Sequence, residues 1–265
     1  QVANLTTNNN EDTTPTVPSI LDYDKDGKLE GVWWFDNNGN GWKGIAVIEF
    51  DTMNFDAGFN GDGFIDDIAI AEESGFYNVN LKSNPLFYQQ DKEGGYEILI
   101  AYDNVHWYSI PSGRQCYKAY IRSYDTDGKL LWKRSHAIGC SGGTVYDDIS
   151  TPVILDVNED GYNEVCYFYI PPYDENNSIY CLDKFGNNVA GFPIDTLDTI
   201  KYANPIDTPL HIADMDNDNE LEIVGAGYIW NLDGTILKGN YSSFTKFAPI
   251  PVDVDKNGVL ELIGT

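Results

Sequence analysis

A nine-residue acidic segment recurs along the chain, and each time it leads into a short apolar stretch. The clearest copies begin at Asp22 (DYDKDGKLE), Asp156 (DVNEDGYNE), Asp214 (DMDNDNELE) and Asp253 (DVDKNGVLE). With the first Asp as position 1, each copy has Asp or Asn at 1, 3 and 5, and Glu at 9. Position 6 is Gly in every copy except the third, where Asn219 stands. Several carboxylates drawn into one tight turn repel one another unless a hard divalent cation fills the cage, and Gly absorbs the sharp bend. The pattern therefore predicts calcium, with about four ions for four such loops.

The segment belongs to a larger repeat. Pro18, Pro85, Pro152, Pro209 and Pro249 each precede a copy by four or five residues. An apolar run follows position 9 at residues 165–170 (VCYFYI), and residues 221–224 (LEIV) run through it. Two degraded copies keep the spacing: Gly58 to Asp66, with Asn60 and Asp62 inside it, and Gln89 to Glu97. If these were occupied too, the count would rise to about six ions. Fixed offsets between a proline, an acidic loop and a β-rich run mark a structural repeat.

Helices are excluded nearly everywhere, because Gly, Asn, Asp and β-branched residues interrupt each window before two turns complete. Short hairpins alternate with the loops instead. Residues 120–124 and 129–133 flank the turn Asp125-Thr126-Asp127-Gly128, and 179–186 with 188–193, and 229–237, repeat that form. A unit thus reads as strand, acidic loop, strand, connection, strand, Gly turn, strand. Four antiparallel strands per unit make a propeller blade, and the spacing predicts about six blades, or seven. Residues 1–17 are polar and read as a tail or a closing strand, and 18–265 as the propeller.

A net charge of −26 argues against nucleic acid, whose phosphates need a basic face, and against docking on anionic membranes. No apolar run is long enough to span a bilayer. Cys116 and Cys140 lie symmetrically about the turn at 125–128, and Cys166 and Cys181 about residues 171–174. Antiparallel hairpins bring such pairs opposite one another, so two disulfides and an oxidising compartment are expected. The chain begins at Gln1 and reads as a mature form. Its sequons at Asn4, Asn176 and Asn240 are compatible with secretion to the medium or the cell surface.

The units resemble the FG-GAP/VCBS repeat family, the calcium-loop blades of integrin α-subunit heads and many secreted bacterial proteins. Residues 59–70 (FNGDGFIDDIAI) and 152–161 (PVILDVNEDG) are similar to its loop and strand. The likeness runs over residues 15–265 and implies a β-propeller. It also implies the ligand set: side chains at positions 1, 3, 5 and 9, and the backbone carbonyl at 7. In the first loop these are Asp22, Asp24, Asp26, Lys28 and Glu30. In the next full copy they are Asp156, Asn158, Asp160, Tyr162 and Glu164, followed by Asp214, Asp216, Asp218, Glu220 and Glu222. The last set is Asp253, Asp255, Asn257, Val259 and Glu261, and the degraded copy offers Asn60, Asp62 and Asp66. Gly58 and Gln89 replace the first Asp in the two degraded copies, which departs from the family pattern. An EF-hand needs an acid at position 12 and flanking helices. Here that position is Trp33, Tyr167, Gly225 or Gly264, so the EF-hand reading fails.

No Ser-His-Asp spacing, phosphate loop or nucleophile elbow is present. His211 reads as a strand residue, His106 and His136 as loop residues. Trp34, Trp42 and Trp107 are candidates for a platform that stacks sugar rings. The sequence thus predicts a secreted or surface calcium-binding propeller acting in binding, adhesion or assembly, with a glycan or extracellular protein as ligand. A polysaccharide lyase and a self-assembling filament subunit are the alternatives.

Overall fold

The computed structural model describes residues 19–36, 43–56, 61, 63–65, 76–81, 83–90, 95–107, 115–136, 139–141, 148–171, 177–196, 210–225, 228–239 and 250–263. Asn60, Asp62, Asp66, Trp42 and the three sequon asparagines lie outside them. Every element among the described residues is a β-strand, in five antiparallel sheets. No helix there is long and apolar enough to cross a membrane.

The first sheet holds β1 (Ser19–Leu21), β2 (Glu30–Asp36), β3 (Lys43–Glu49) and β4 (Asn54–Phe55) in that order, with β5 (Phe64–Ile65) also on β3. The second holds β6 (Phe76–Leu81), β7 (Leu86–Gln89), β8 (Tyr96–Trp107), β9 (Gln115–Tyr124), β10 (Leu130–Ser135) and β11 (Gly139–Ser141). In the third are β12 (Asp148–Ile149), β13 (Val153–Leu155), β14 (Glu164–Ile170), β15 (Ser178–Leu182) and β16 (Ile194–Asp195). The fourth runs β17 (His211–Ala213), β18 (Glu222–Gly225), β19 (Tyr228–Asn231), β20 (Ile236–Lys238). The fifth pairs β21 (Ile250–Val252) with β22 (Glu261–Ile263).

Each full acidic loop is the connection of a hairpin: β1 to β2, β13 to β14, β17 to β18 and β21 to β22. The degraded loop at 89 joins β7 to β8 in the same way. The degraded loop at 58 behaves differently. The strands before and after it, β4 and β5, both lie on β3 (Ile48 opposite Phe55, Ile45 opposite Ile65), so it interrupts the outer strand of the first sheet. The spacing-based count gave that loop a blade of its own, and the pairing corrects this. The outer hairpins follow expectation. Gly128, Gly186 and Gly234 each donate a backbone hydrogen bond three residues back, at 2.9–3.0 Å, with φ of 77°, 76° and 86°. That is the type I turn plus left-handed residue common in such loops.

The chain divides into two compact units, residues 1–147 and 148–265. In the first, Leu21, Val32, Trp34, Ile45 and Val47 of one sheet pack on Phe87, Ile98, Ile100, Tyr102 and Tyr120 of the next. In the second, Val153, Leu155, Cys166, Phe168 and Ile179 pack on Ile212, Ile223 and Trp230. Side chains alternate along a strand, so one face of each sheet supplies these residues. Burying each large aliphatic chain stabilises the fold by about 1.5–3 kcal/mol.

Cys166 and Cys181 stand opposite each other on β14 and β15, 4.1 Å apart at Cα, and form a disulfide. Cys116 faces Cys140 in the β9–β11 register and is itself disulfide-bonded.

Candidate metal loops

The loop backbone repeats as faithfully as its sequence. Position 4 is left-handed in every full copy: Lys25 (φ 64°), Glu159 (57°), Asn217 (64°) and Lys256 (61°). Position 6 is left-handed too, at Gly27 (92°), Gly161 (90°), Asn219 (70°) and Gly258 (87°). A Cβ on Gly27, Gly161 or Gly258 would meet nothing within 4 Å, so these glycines serve only the dihedral, which Asn219 also tolerates. The loop at 58 keeps both left-handed positions, at Gly61 (80°) and Gly63 (85°). At Gly63 a Cβ would lie 2.4 Å from Phe55 Cβ, so packing forbids a side chain there as well.

Backbone donors hold the acids in one arrangement. The Oδ2 of position 1 accepts the N–H of position 6: Gly27 to Asp22 (3.1 Å), Gly161 to Asp156 (2.9 Å), Asn219 to Asp214 (3.1 Å) and Gly258 to Asp253 (2.9 Å). Position 3 accepts from position 5 at 3.0–3.3 Å, through Asp24, Asn158, Asp216 and Asp255. Position 5 accepts from position 7 at 2.7–2.9 Å, through Asp26, Asp160, Asp218 and Asn257.

Position 9 has a structural part beyond any ligation. Its Oε2 accepts the N–H of position 2 in five loops: Tyr23 to Glu30 (3.1 Å), Gln90 to Glu97 (3.0 Å), Val157 to Glu164 (2.8 Å), Met215 to Glu222 (2.6 Å) and Val254 to Glu261 (2.9 Å). The glutamate at the start of the second strand thus ties down the loop entrance. This role was not read from the sequence; its signal was that Glu97 persists in a copy that has lost the first Asp.

Ligand-type oxygens converge. One carboxylate oxygen each from Asp22, Asp24 and Glu30 lies within 4.8 Å of the others, as for Asp214, Asp216 and Asp218, and for Asp253, Asp255 and Glu261. Glu30, Glu164 and Glu222 are buried, and burial first, then the neighbouring carboxylates, raises all three pKa values. Glu30 is pushed up to about 7 with Asp24, Asp26 and Asp22 adding to the shift. Glu164 also reaches about 7, next to Asp160, Asp156 and Asp183. Asp24 is raised as well, by burial and by Asp26, Asp56 and Asp22. The Oδ1 atoms of Asp22 and Asp214 are buried without a hydrogen-bond partner. An all-oxygen, like-charged cage with orphaned acceptors fits a hard dication and suits no soft metal. The carbonyls of Lys28, Tyr162, Glu220 and Val259 occupy position 7 in these loops.

The first loop carries additions of its own. Lys28 Nζ lies 3.4 Å from Asp26 Oδ2 and 3.0 Å from Glu49 Oε2. Tyr23 is buried, stacks on Phe87 at 5.2 Å, donates its hydroxyl to Asp56 and lies 3.4 Å from the Thr126 carbonyl. The loop is thereby fastened to the neighbouring sheet.

The aromatic candidates divide. Trp34 is 8% exposed, and its indole N–H donates to Ser83 O at 2.9 Å, so it is core and not a stacking platform. Trp107 lies in β8, with its side chain outside the described part. Phe185 is 67% exposed at the tip of the β15 hairpin. Beside it Lys184 Nζ sits 3.6 Å from the Tyr162 ring centroid. His106 proves to be a strand residue of β8. His136 follows β10 and is buried, with burial and then Arg134 pushing its pKa down to about 3. His211, on β17, is also shifted down by burial.

No protein-family model matches the chain, and no curated protein matches it. Among solved structures it is similar to the crystal structure of the V. cholerae biofilm matrix protein Bap1, with a TM-score of 0.40 and 14% identity. That superposition covers 84% of this chain and 30% of the other, so the chain spans under a third of that protein's length.

Proposed function

We propose that the chain is a calcium-stabilised module of propeller-type blades, in a secreted or cell-surface protein, that binds a glycan or an extracellular protein. The observation that supports it best is the repeated geometry of the loops: left-handed residues at positions 4 and 6, and ligand-type oxygens drawn together. A turn chosen only for solubility has no need to bury Asp22 Oδ1 and Asp214 Oδ1 unpaired or to hold Glu164 near neutrality. Calcium here would be structural. It would cancel the repulsion at the end of each hairpin, so that its binding energy becomes folding energy. The Cys166–Cys181 disulfide supports an oxidising compartment.

With Trp34 in the core, Trp42 and Trp107 remain the candidates for sugar stacking, and exposed Phe185 beside half-buried Tyr162 and Lys184 is a separate candidate contact. Glycan-array and matrix-protein binding, each with calcium and with chelator, tests this reading. Retention that needs calcium supports it. Turnover of an acidic polysaccharide to an unsaturated product would replace it with the lyase alternative.

A further inference from the structure

One of the full loops differs from the rest by a residue with a chemistry of its own. Position 5 is Asp26, Asp160 and Asp218 in three copies, but Asn257 in the fourth, with Gly258 directly after it. Asparagine before glycine is the sequence most prone to lose its amide. No side chain shields the glycine nitrogen, and the glycine backbone turns freely towards the asparagine carbonyl. Among the described residues this is the one Asn-Gly pair.

The closed loop holds both reacting groups. The Gly258 nitrogen, which would be the nucleophile, donates its proton to Asp253 Oδ2 at 2.9 Å. The Asn257 side-chain oxygen accepts the Val259 N–H at 2.7 Å. The Asn257 backbone N–H is held in turn by Asp253 Oδ1 and Asp255 Oδ1, each at 3.1 Å. Lys256 and Gly258, on either side, are both left-handed, with φ of 61° and 87°. Attack requires the Gly258 nitrogen to leave its carboxylate and the Asn257 carbonyl carbon to swing over it. Neither can happen while these side-chain-to-backbone bonds stand.

We propose that Asn257 is a deamidation site gated by the closure of its own loop. In the open loop the Gly258 nitrogen bonds to Asn257 Cγ and the Cγ–Nδ2 bond breaks. Nδ2 leaves as ammonia, carrying the proton that the Gly258 nitrogen gives up. Water then opens the five-membered imide at one of its two carbonyls. Cleavage between Cγ and the Gly258 nitrogen yields aspartate, the residue of the three sister loops. Cleavage at the other carbonyl yields isoaspartate, in which the chain runs through Cγ and gains one backbone carbon. That extra carbon lies inside the segment which the Gly258-to-Asp253 bond closes, so an isoaspartate loop does not regain its geometry. The reaction is irreversible and records how long the loop has stood open. Calcium enters only as the agent that keeps the loop shut, and this part rests on the proposed function; gating by the loop's own hydrogen bonds does not.

The full chain, aged at mildly alkaline pH, tests the proposal in three states: folded in calcium, folded in chelator, and unfolded in urea. Peptide mass spectrometry locates the amide-to-acid exchange, and an isoaspartate-specific methyltransferase separates the two products. Asn257 should convert in urea, and at least about tenfold more slowly in the folded chain with calcium, because only the open fraction reacts. The chelator sample should fall between them. Asn257→Asp should show no exchange in this peptide, which assigns the signal to that residue. Folded protein that converts as fast as the unfolded chain overturns the proposal, as does an unfolded chain in which Asn257 stays intact. Equal protection in calcium and in chelator would support gating by the hydrogen bonds while removing calcium from this loop.

Discussion

Glu164→Gln should change stability in opposite directions with and without calcium. The residue is 1% exposed, and its Oε2 accepts the Val157 N–H at 2.8 Å, an acceptor that the amide oxygen of Gln preserves. What the substitution removes is charge. A carboxyl raised from 4.5 to about 7 in the folded chain costs up to roughly 3 kcal/mol when ionised at neutral pH. Asp156 and Asp160 are in contact with solvent, and screening cuts this to about 1–2 kcal/mol. In chelator the variant should be more stable than the parent by that amount, as read from urea denaturation. In millimolar calcium the proposed cage would be short of one anionic ligand, and the variant should be less stable by a similar or larger margin. Equal destabilisation in both conditions would refute the reasoning, because it would make Glu164 a hydrogen-bond acceptor and nothing more.

Three further outcomes follow from the same loops. In chelator, stability should rise as the pH falls from about 8 to 5, because Glu30 and Glu164 ionise at lower pH in the unfolded chain than at about 7 in the folded one; denaturation across that range checks the sign, and calcium should reverse it as protons compete for the cage. Lys28→Met removes an ammonium 3.4 Å from Asp26, and calorimetric titration should show tighter binding at one site by ~3-fold. Cys166→Ala with Cys181→Ala opens a cross-link spanning 15 residues and should cost about 3 kcal/mol, seen as a lower urea midpoint.

The hairpins were legible because the loop and both its strands are local in sequence. Gly at position 6 and the Asp125–Gly128 turn announce dihedrals that few residues adopt, and those dihedrals are found. The cysteine pairs were readable for the same reason, since symmetry about a turn sets antiparallel register. Three features depend on distant partners and were not readable. The loop at 58 opens no sheet because β4 and β5 both find β3, a pairing that its own residues do not encode. Trp34 lies two residues before the polar run that starts at Asp36 yet is buried, with the Ser83 carbonyl accepting from its indole. Position 9 reads as a ligand, but its bond to position 2 spans seven residues and appears only once the hairpin is closed.

The most direct test is the thermal melt of chelator-stripped protein, paired with equilibrium dialysis against ⁴⁵Ca²⁺. Uptake of about four ions per chain at sub-millimolar to millimolar calcium, with a matching rise in melting temperature, is the expected result. No uptake, together with a melt unchanged by calcium or chelator, would contradict the claim that these loops are cation cages that hold the sheets.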